Sequence, residues 1–352
     1  MKRRDLLKTA PLALLGCDPD GLGLSNPNFL VVGHHGAPNL APENTLRSFE
    51  ASVAVGANTM EIDLCVTKDN VLVAFHDRDP DSGIALARQA GGEGYQWLPF
   101  VPGVDSPWRR PVSALTLSEL RQFYGYRRKD GGRDFSAVIP TFTEVLEWVA
   151  SVAERTPLGF GNSALGEGGS AGEAVGAAGE AGAGGGKALE PPLKAIYLDL
   201  KFDPKAEGAA GAELIRQLWD AWQGSAALQK VRFYLLTVHA EFIAALKREQ
   251  ADLGAEPLRV VWDFEHPGAL DATLKAGLRD VSTGLTPSFT WSDYKREIAQ
   301  AVRARQAGKI DSVLAWTFDR EMQLAELLYY SVDGIITNEP ASLYRMWQET
   351  LA

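Results

Sequence analysis

Apolar positions along this chain recur with two alternating periods. Short runs rich in β-branched and aromatic residues stand at 29–35 (FLVVGHH), 59–66 (TMEIDLCV), 71–76 (VLVAFH), 195–201 (AIYLDLK), 231–237 (VRFYLLT), 258–263 (LRVVWD), 311–317 (DSVLAWT) and 334–338 (GIITN), eight candidate strands. Between most of them lie stretches such as TLRSFEASVAVG, TFTEVLEWVASVAER, AEFIAALKRE and DYKREIAQAVRARQ, whose apolar residues return every three or four positions, as one face of a helix requires. Strand, helix, strand in this number predicts an α/β fold, a (β/α)8 barrel of the TIM type spanning residues 28–348. The repeat breaks once. Thr67-Lys68-Asp69-Asn70 reads as a turn and leaves no room for a helix between the second and third strands, so the barrel is expected to be irregular there. The stretch DVSTGLTP at 280–287 also fits a strand, which would be a ninth.

Two segments stand outside this pattern. Residues 161–190 contain 11 Gly and 8 Ala and no aromatic residue, so they cannot bury enough apolar surface to offset the entropy of ordering. They read as a flexible low-complexity insertion, either interrupting one barrel or linking two domains. At the amino terminus, MKRRDLLKTAPLALLGCD sets Lys2, Arg3 and Arg4 before an apolar stretch from Thr9 to Gly16 that is too short to span a bilayer. Arg3-Arg4 followed by Leu6-Leu7-Lys8 resembles a twin-arginine export signal, and Leu14-Leu15-Gly16-Cys17 resembles a lipoprotein box. Residues 1–17 are therefore expected to be an export signal, with Cys17 lipidated and the domain tethered to a membrane in the periplasm or cell envelope. Cys65 would then have no disulfide partner.

Composition narrows the partners. With 45% hydrophobic residues and nine Trp the chain has ample core material, and 35 basic against 45 acidic side chains give a formal charge of −10. That balance excludes a duplex nucleic-acid footprint, which needs clustered Lys and Arg. An anionic substrate must be met by a local arrangement of charge.

Catalytic groups in a parallel barrel sit at the carboxyl ends of the strands. The first strand here ends in His34-His35, the second carries Glu61 and Asp63, the third ends in His76-Asp77, and the fourth carries Asp199 and Lys201. Glu61 and Asp63 alternate along one strand, which places both carboxylates on one face about 7 Å apart. Inward-facing carboxylates need a cation or shared protons, since buried unpaired charge is costly. Asp199 supplies a third oxygen donor and Lys201 a fixed positive charge. Such an all-oxygen set suits one hard divalent cation, Mg²⁺ or Ca²⁺, better than zinc. Alternatively, each carboxylate is an ordinary salt-bridged residue at a strand end. Three of the chain's five histidines, His34, His35 and His76, fall beside this set. Two imidazoles next to a metal-like site provide a base for a nucleophile and an acid for a leaving alcohol, which points to phosphodiester chemistry.

Residues 34–77, HHGAPNLAPENTLRSFEASVAVGANTMEIDLCVTKDNVLVAFHD, closely resemble the opening signature of the glycerophosphodiester phosphodiesterase family, with its His-Arg-Gly, Pro-Glu-Asn-Thr, Glu-x-Asp and His-Asp elements in order. VLAWTFDREMQLAELLYYSVDGIITNEP is similar to that family's closing strands, and YLDLK stands where the family has Glu-x-Lys. The resemblance implies a barrel that hydrolyses a small glycerophosphodiester to sn-glycerol 3-phosphate and an alcohol. It implies one divalent cation held by Glu61, Asp63 and Asp199, and His34 and His76 as the acid–base pair. Glu43 and Asn44 would shape the site near the cation, Lys201 would bind phosphate, and Trp316 would wall the glycerol pocket. Asn44 as a helix cap and Trp316 as plain core are the bland alternatives.

Two departures bear on substrate binding. His35 replaces the family's Arg and cannot offer a two-pronged fork to phosphate. Asp199 replaces a Glu and is one methylene shorter. The sequence leaves open two other outcomes: phospholipase D-like transfer within the substrate to give a cyclic phosphate, and a lipid-anchored binding protein with a weakened site. The loop GGEGYQWLPFVPGVDSPWRRP, in the 78–110 region, replaces a familiar family stretch and is expected to overhang the mouth.

Overall fold

A computed structural model of the chain describes residues 26–155, 193–203, 207–255, 257–286 and 289–351. Cys17, the expected signal at 1–17 and the Gly/Ala-rich stretch at 161–190 lie outside the described residues. The described strands are β1 (Leu30–Gly33), β2 (Thr59–Val66), β3 (Leu72–Ala74), β4 (Trp97–Phe100), β5 (Gly125–Arg128), β6 (Ala195–Leu200), β7 (Arg232–Thr237), β8 (Leu258–Phe264), β9 (Asp280–Gly284), β10 (Ser312–Trp316) and β11 (Gly334–Thr337). Eight of these pair in parallel in the order β1, β2, β6, β7, β8, β9, β10, β11, and β11 returns to β1, closing a (β/α)8 barrel.

The barrel is the expected one, with one exchange of strands. By sequence, residues 71–76 read as a stave and 280–287 as an extra strand, whereas β9 is the stave, parallel to both β8 and β10, and β3 lies antiparallel against the end of β2. The reason is the connection length. A parallel return needs a crossover of a dozen or more residues, and the turn Thr67–Asn70 permits only a hairpin. Asn70 takes the left-handed conformation at φ 58°, and Thr67 Oγ1 both accepts from the Val71 amide at 3.0 Å and donates to its carbonyl at 3.1 Å. β1 pairs only with the start of β2 (Val32↔Thr59, Gly33↔Met60), and β3 covers the edge of β2 beyond it, from Leu64↔Ala74 to Val66↔Leu72.

β2 and β6, which flank the low-complexity stretch in sequence, are neighbours from Thr59↔Ala195 to Leu64↔Leu200. The parts of the chain before and after that stretch therefore build one barrel.

Alternation along the strands sorts the core. Met60, Ile62 and Leu64 on β2 and Ile196, Leu198 and Leu200 on β6 pack outward with Phe142, Val145 and Val149 of the helix Phe142–Glu154. Leu30, Val32, Tyr197, Tyr234, Leu236, Val261, Leu314 and Ile336 fill the inside, with the Tyr197 and Tyr234 rings stacked at 4.4 Å. This apolar plug occupies the interior below the carboxyl ends, so the next inward positions, Asp63 and Asp199, are raised to the mouth. Among the described residues no helix is long and apolar enough to cross a membrane.

Candidate active site

The mouth is organised by the turn after β1. His35 at φ 52° and Gly36 at φ 94° follow one another in left-handed conformation, and a Cβ on Gly36 would strike Ser48. The strain at His35 is held from several sides. Its amide donates to Glu61 Oε2 at 3.0 Å, and its carbonyl accepts from the Asn44 amide at 2.9 Å and from Ser48 Oγ at 3.1 Å. The tight turn presents two adjacent imidazoles to one space, with ring centres 3.6 Å apart. His35 also meets the His76 ring edge-on at 5.4 Å, so the three histidines are in one group.

The carboxylates converge from two neighbouring strands. Asp63 and Asp199 are register partners across β2 and β6, and like charges directly opposite repel. Lys201 answers this by bridging them, its Nζ 2.5 Å from Asp199 Oδ2 and 3.1 Å from Asp63 Oδ1. Asn44, also left-handed at φ 50°, donates Nδ2–H to Asp63 Oδ2 at 2.6 Å and accepts from the Asp63 amide at 3.2 Å. Thr45, not Asn44, caps the following helix. Glu61 and Asp63 are buried, as is His35, whose Nδ1 is 2.5 Å from Asp63 Oδ2 and 3.3 Å from Glu61 Oε2.

Burial would lower the basicity of His35, but Asp63 and Glu61 overcome it and hold its pKa well above the ordinary value. For Asp63 burial is overcome in turn by His35 and Lys201, and its pKa falls well below the usual carboxylate range. Glu61 goes the other way, raised by burial and by Asp63. Asp263, at the end of β8, is pushed up to about 8 by burial and the Asp199 charge, and Ser282 Oγ–H donates to it. Sequence reasoning passed over Asp263, although its place at a strand end was a usable signal.

Glu61, Asp63 and Asp199 each bring a carboxylate oxygen within 4.8 Å of the others, and His35 joins two further such groups, one with His34 and Glu61 and one with Asp63 and His76. A divalent cation fits this donor set. The Lys201 ammonium is the one fixed positive charge among these donors.

The two outer histidines are supported differently. His34 Nδ1 lies 2.8 Å from Asn338 Oδ1, and Asn338 Nδ2–H donates to Asp319 Oδ2 at 2.8 Å, which leaves that amide oxygen as an acceptor and puts the His34 proton on Nδ1. Burial and the neighbouring His35 lower the His34 pKa well below 6.5. His76 Nδ1 lies 2.7 Å from Asp77 Oδ1. Behind Asp77 stands Arg88, buried on the helix Gly83–Gln89, with Nε 2.9 Å from Asp77 Oδ1 and its other nitrogens on Glu43 and Glu93. The Glu43 carboxylate is thus engaged by Arg88 and reaches the site through Asp77 and His76. Trp316, at the end of β10, packs on the interior plug with Gly284 flush against its ring, and its indole nitrogen is buried without a hydrogen-bond partner.

Asn338 and Asp319 follow β11 and β10, so their strand-end positions were legible. Arg88 was not. It lies on a helix in the 78–110 excursion, next to the two-stranded β4–β5 sheet, and nothing in its local sequence aims it at a histidine.

Residues 34–158 match the model of the glycerophosphoryl diester phosphodiesterase family, and residues 185–351 match that of the dermonecrotic toxin SPH family. A glycerophosphodiester phosphodiesterase of Caldanaerobacter subterraneus subsp. tengcongensis is 31% identical over 120 residues, 34% of this chain and 40% of that protein. A dermonecrotic toxin of Hemiscorpius lepturus is 31% identical over 176 residues, 44% of this chain and 53% of the toxin. The chain thus spans about half or less of the length of these curated relatives. The solved structure of an Oleispira antarctica phosphodiesterase in complex with the product sn-glycerol-3-phosphate is 17% identical, covers 92% of this chain and 96% of its own, and superposes with a TM-score of 0.57, a likeness of fold. Over residues 34–158, about a third of its length, this chain is similar to the glycerophosphoryl diester phosphodiesterase family.

Proposed function

We propose that the chain is a metal-dependent phosphoric diester hydrolase that cleaves a glycerophosphodiester to sn-glycerol 3-phosphate and an alcohol. The observation that carries this reading is the grouping of His34, His76, Glu61, Asp63, Asp199 and Lys201 at one barrel mouth. His34, with Nε2 free to accept, removes the proton from the attacking water; His76, oriented by Asp77 at Nδ1, protonates the departing alcohol. A divalent cation held by Glu61, Asp63 and Asp199 would neutralise charge on the non-bridging phosphate oxygens. Lys201 adds a fixed charge for the same oxygens, and Trp316 borders the pocket on the β10 side.

Turnover of glycerophosphocholine, measured with and without chelator, tests the proposal. Activity is expected with the cation and lost on its removal, and turnover that persists in both His34→Ala and His76→Ala would overturn the assignment. A second reading is favoured by the toxin-family match over residues 185–351: transfer within the substrate to a neighbouring hydroxyl, giving a cyclic phosphate. Phosphorus NMR of the products separates the two. We also propose, from Arg3-Arg4 and Leu14-Leu15-Gly16-Cys17, that the chain is exported and lipid-anchored at Cys17. A Cys17→Ser chain that stays in the membrane fraction would overturn the anchor.

A further inference from the structure

His35 is left unexplained by three carboxylate ligands. It is only 1% exposed, yet neither ring nitrogen has a hydrogen-bond partner. The Nδ1 contacts with Asp63 Oδ2 at 2.5 Å and Glu61 Oε2 at 3.3 Å are close but lie off the line a hydrogen bond needs. A buried polar ring held in a left-handed turn, with its nitrogen between two carboxylates, is an arrangement a folded chain does not keep for packing. The turn is pinned through the His35 backbone to Glu61 and Asn44, and Asn44 is bonded in turn to Asp63, so the imidazole and both carboxylates are positioned as one unit.

Donor atoms bonded to one ion at about 2.1 Å lie about 3 Å apart. The His35–Glu61 spacing is already close to that, and the His35–Asp63 contact has only to open by about half an ångström. Resting on the cation site proposed above, we propose that His35 is itself a ligand of that cation. The site is then a mixed nitrogen–oxygen set that selects a first-row transition ion such as Mn²⁺, Co²⁺ or Zn²⁺ over Mg²⁺ or Ca²⁺. Mg²⁺ and Ca²⁺ take oxygen donors and gain little from imidazole, while the first-row ions gain a strong bond. On this basis the substitution of the family's Arg by His35 exchanges a fixed positive charge for a donor, and Lys201 remains as the ammonium facing phosphate.

The test uses the full chain, stripped of metal and loaded with Mn²⁺. Pulsed electron paramagnetic resonance is expected to show coupling to one imidazole nitrogen in the unaltered protein. The coupling should vanish in His35→Gln and survive in His34→Gln and His76→Gln. Titration calorimetry should give a preference for Mn²⁺ over Mg²⁺ that falls by about tenfold or more in His35→Gln and in His35→Arg. Absence of nitrogen coupling in the unaltered protein overturns the inference without any variant having to fold, and so does coupling that survives His35→Gln. Nitrogen coupling without turnover of glycerophosphocholine would support the ligand assignment and sink the hydrolase reading. Turnover with an ion bound by oxygen alone would do the reverse.

Discussion

His34 and His76 face the same space but lean on opposite kinds of support. Behind His34 is a neutral amide, Asn338, held by Asp319 at the rim of β10 and β11. Behind His76 is a carboxylate, Asp77, held by a buried guanidinium that also grips Glu43 and Glu93. Both groups fix the tautomer of their ring, but only Asp77 brings a negative charge to it. Burial and the adjacent His35 then keep His34 uncharged. One barrel mouth thus holds two histidines in different settings: His34 is lowered in pKa by burial and His35 despite the opposing Asn338 hydrogen bond, and His76 is backed by a carboxylate.

The most severe way to break the comparison is to remove either ring. His34→Ala and His76→Ala are each expected to lower kcat by about 10³. Because each ring serves a different proton transfer, a substrate whose leaving group needs no protonation, such as a nitrophenyl ester, should restore rate to His76→Ala and not to His34→Ala. Equal rescue of both would erase the distinction between acid and base.

The next effect is on stability and touches only the His76 side. Arg88 is 2% exposed and carries the charges of Glu43, Asp77 and Glu93. Arg88→Met leaves buried carboxylates without a partner and is expected to cost about 3–5 kcal/mol in denaturant unfolding. Adding Glu43→Gln and Asp77→Asn should recover part of that loss. Asn338→Ala, on the other side, removes two hydrogen bonds in a partly open position, to His34 and to Asp319, and should cost about 1–2 kcal/mol. If both changes cost the same, the buried chain behind His76 is no more than a surface network.

The difference between the two supports also tracks what could be read from the sequence. Groups on the strands or at their ends were legible: His34, Glu61, Asp63, His76, Asp199 and Lys201 follow from strand polarity and two-residue alternation, and Asn338, Asp319 and Asp263 lie at strand ends where the same rule would have found them. Arg88 projects from a helix seven residues long inside an irregular excursion, where no period relates sequence position to direction. The exchange of β3 for β9 has a related cause. Leu72–Ala74 is apolar and attracts notice, while Asp280–Gly284 reads DVSTG, with Ser282 turned toward Asp263 and Tyr294 donating to the Thr283 carbonyl. A barrel strand lined with hydroxyls carries little of the hydrophobic signal on which a strand is recognised.

A smaller expected effect, on kcat alone, comes from Asp77→Asn, which keeps the hydrogen bond to His76 Nδ1 but removes the negative charge beside the ring. A loss of about tenfold to a hundredfold is expected, with KM little changed. A change confined to KM would place Asp77 in substrate binding instead.

The finest test exchanges the two supports and reads pH. As the base, His34 works only when unprotonated, so rate rises as pH climbs through its pKa, and the lowered pKa puts that acid limb below 6.5. Asn338→Asp gives His34 the kind of partner His76 has. A carboxylate on Nδ1 stabilises the protonated ring, raises the pKa and must move the acid limb to higher pH, while the rate on the plateau above it changes little. Asp319, which holds the Asn338 amide at 2.8 Å, adds negative charge in the same direction. An acid limb that stays in place in Asn338→Asp would mean that it reports a group other than His34, and the division of labour between the two histidines would have to be drawn the other way round.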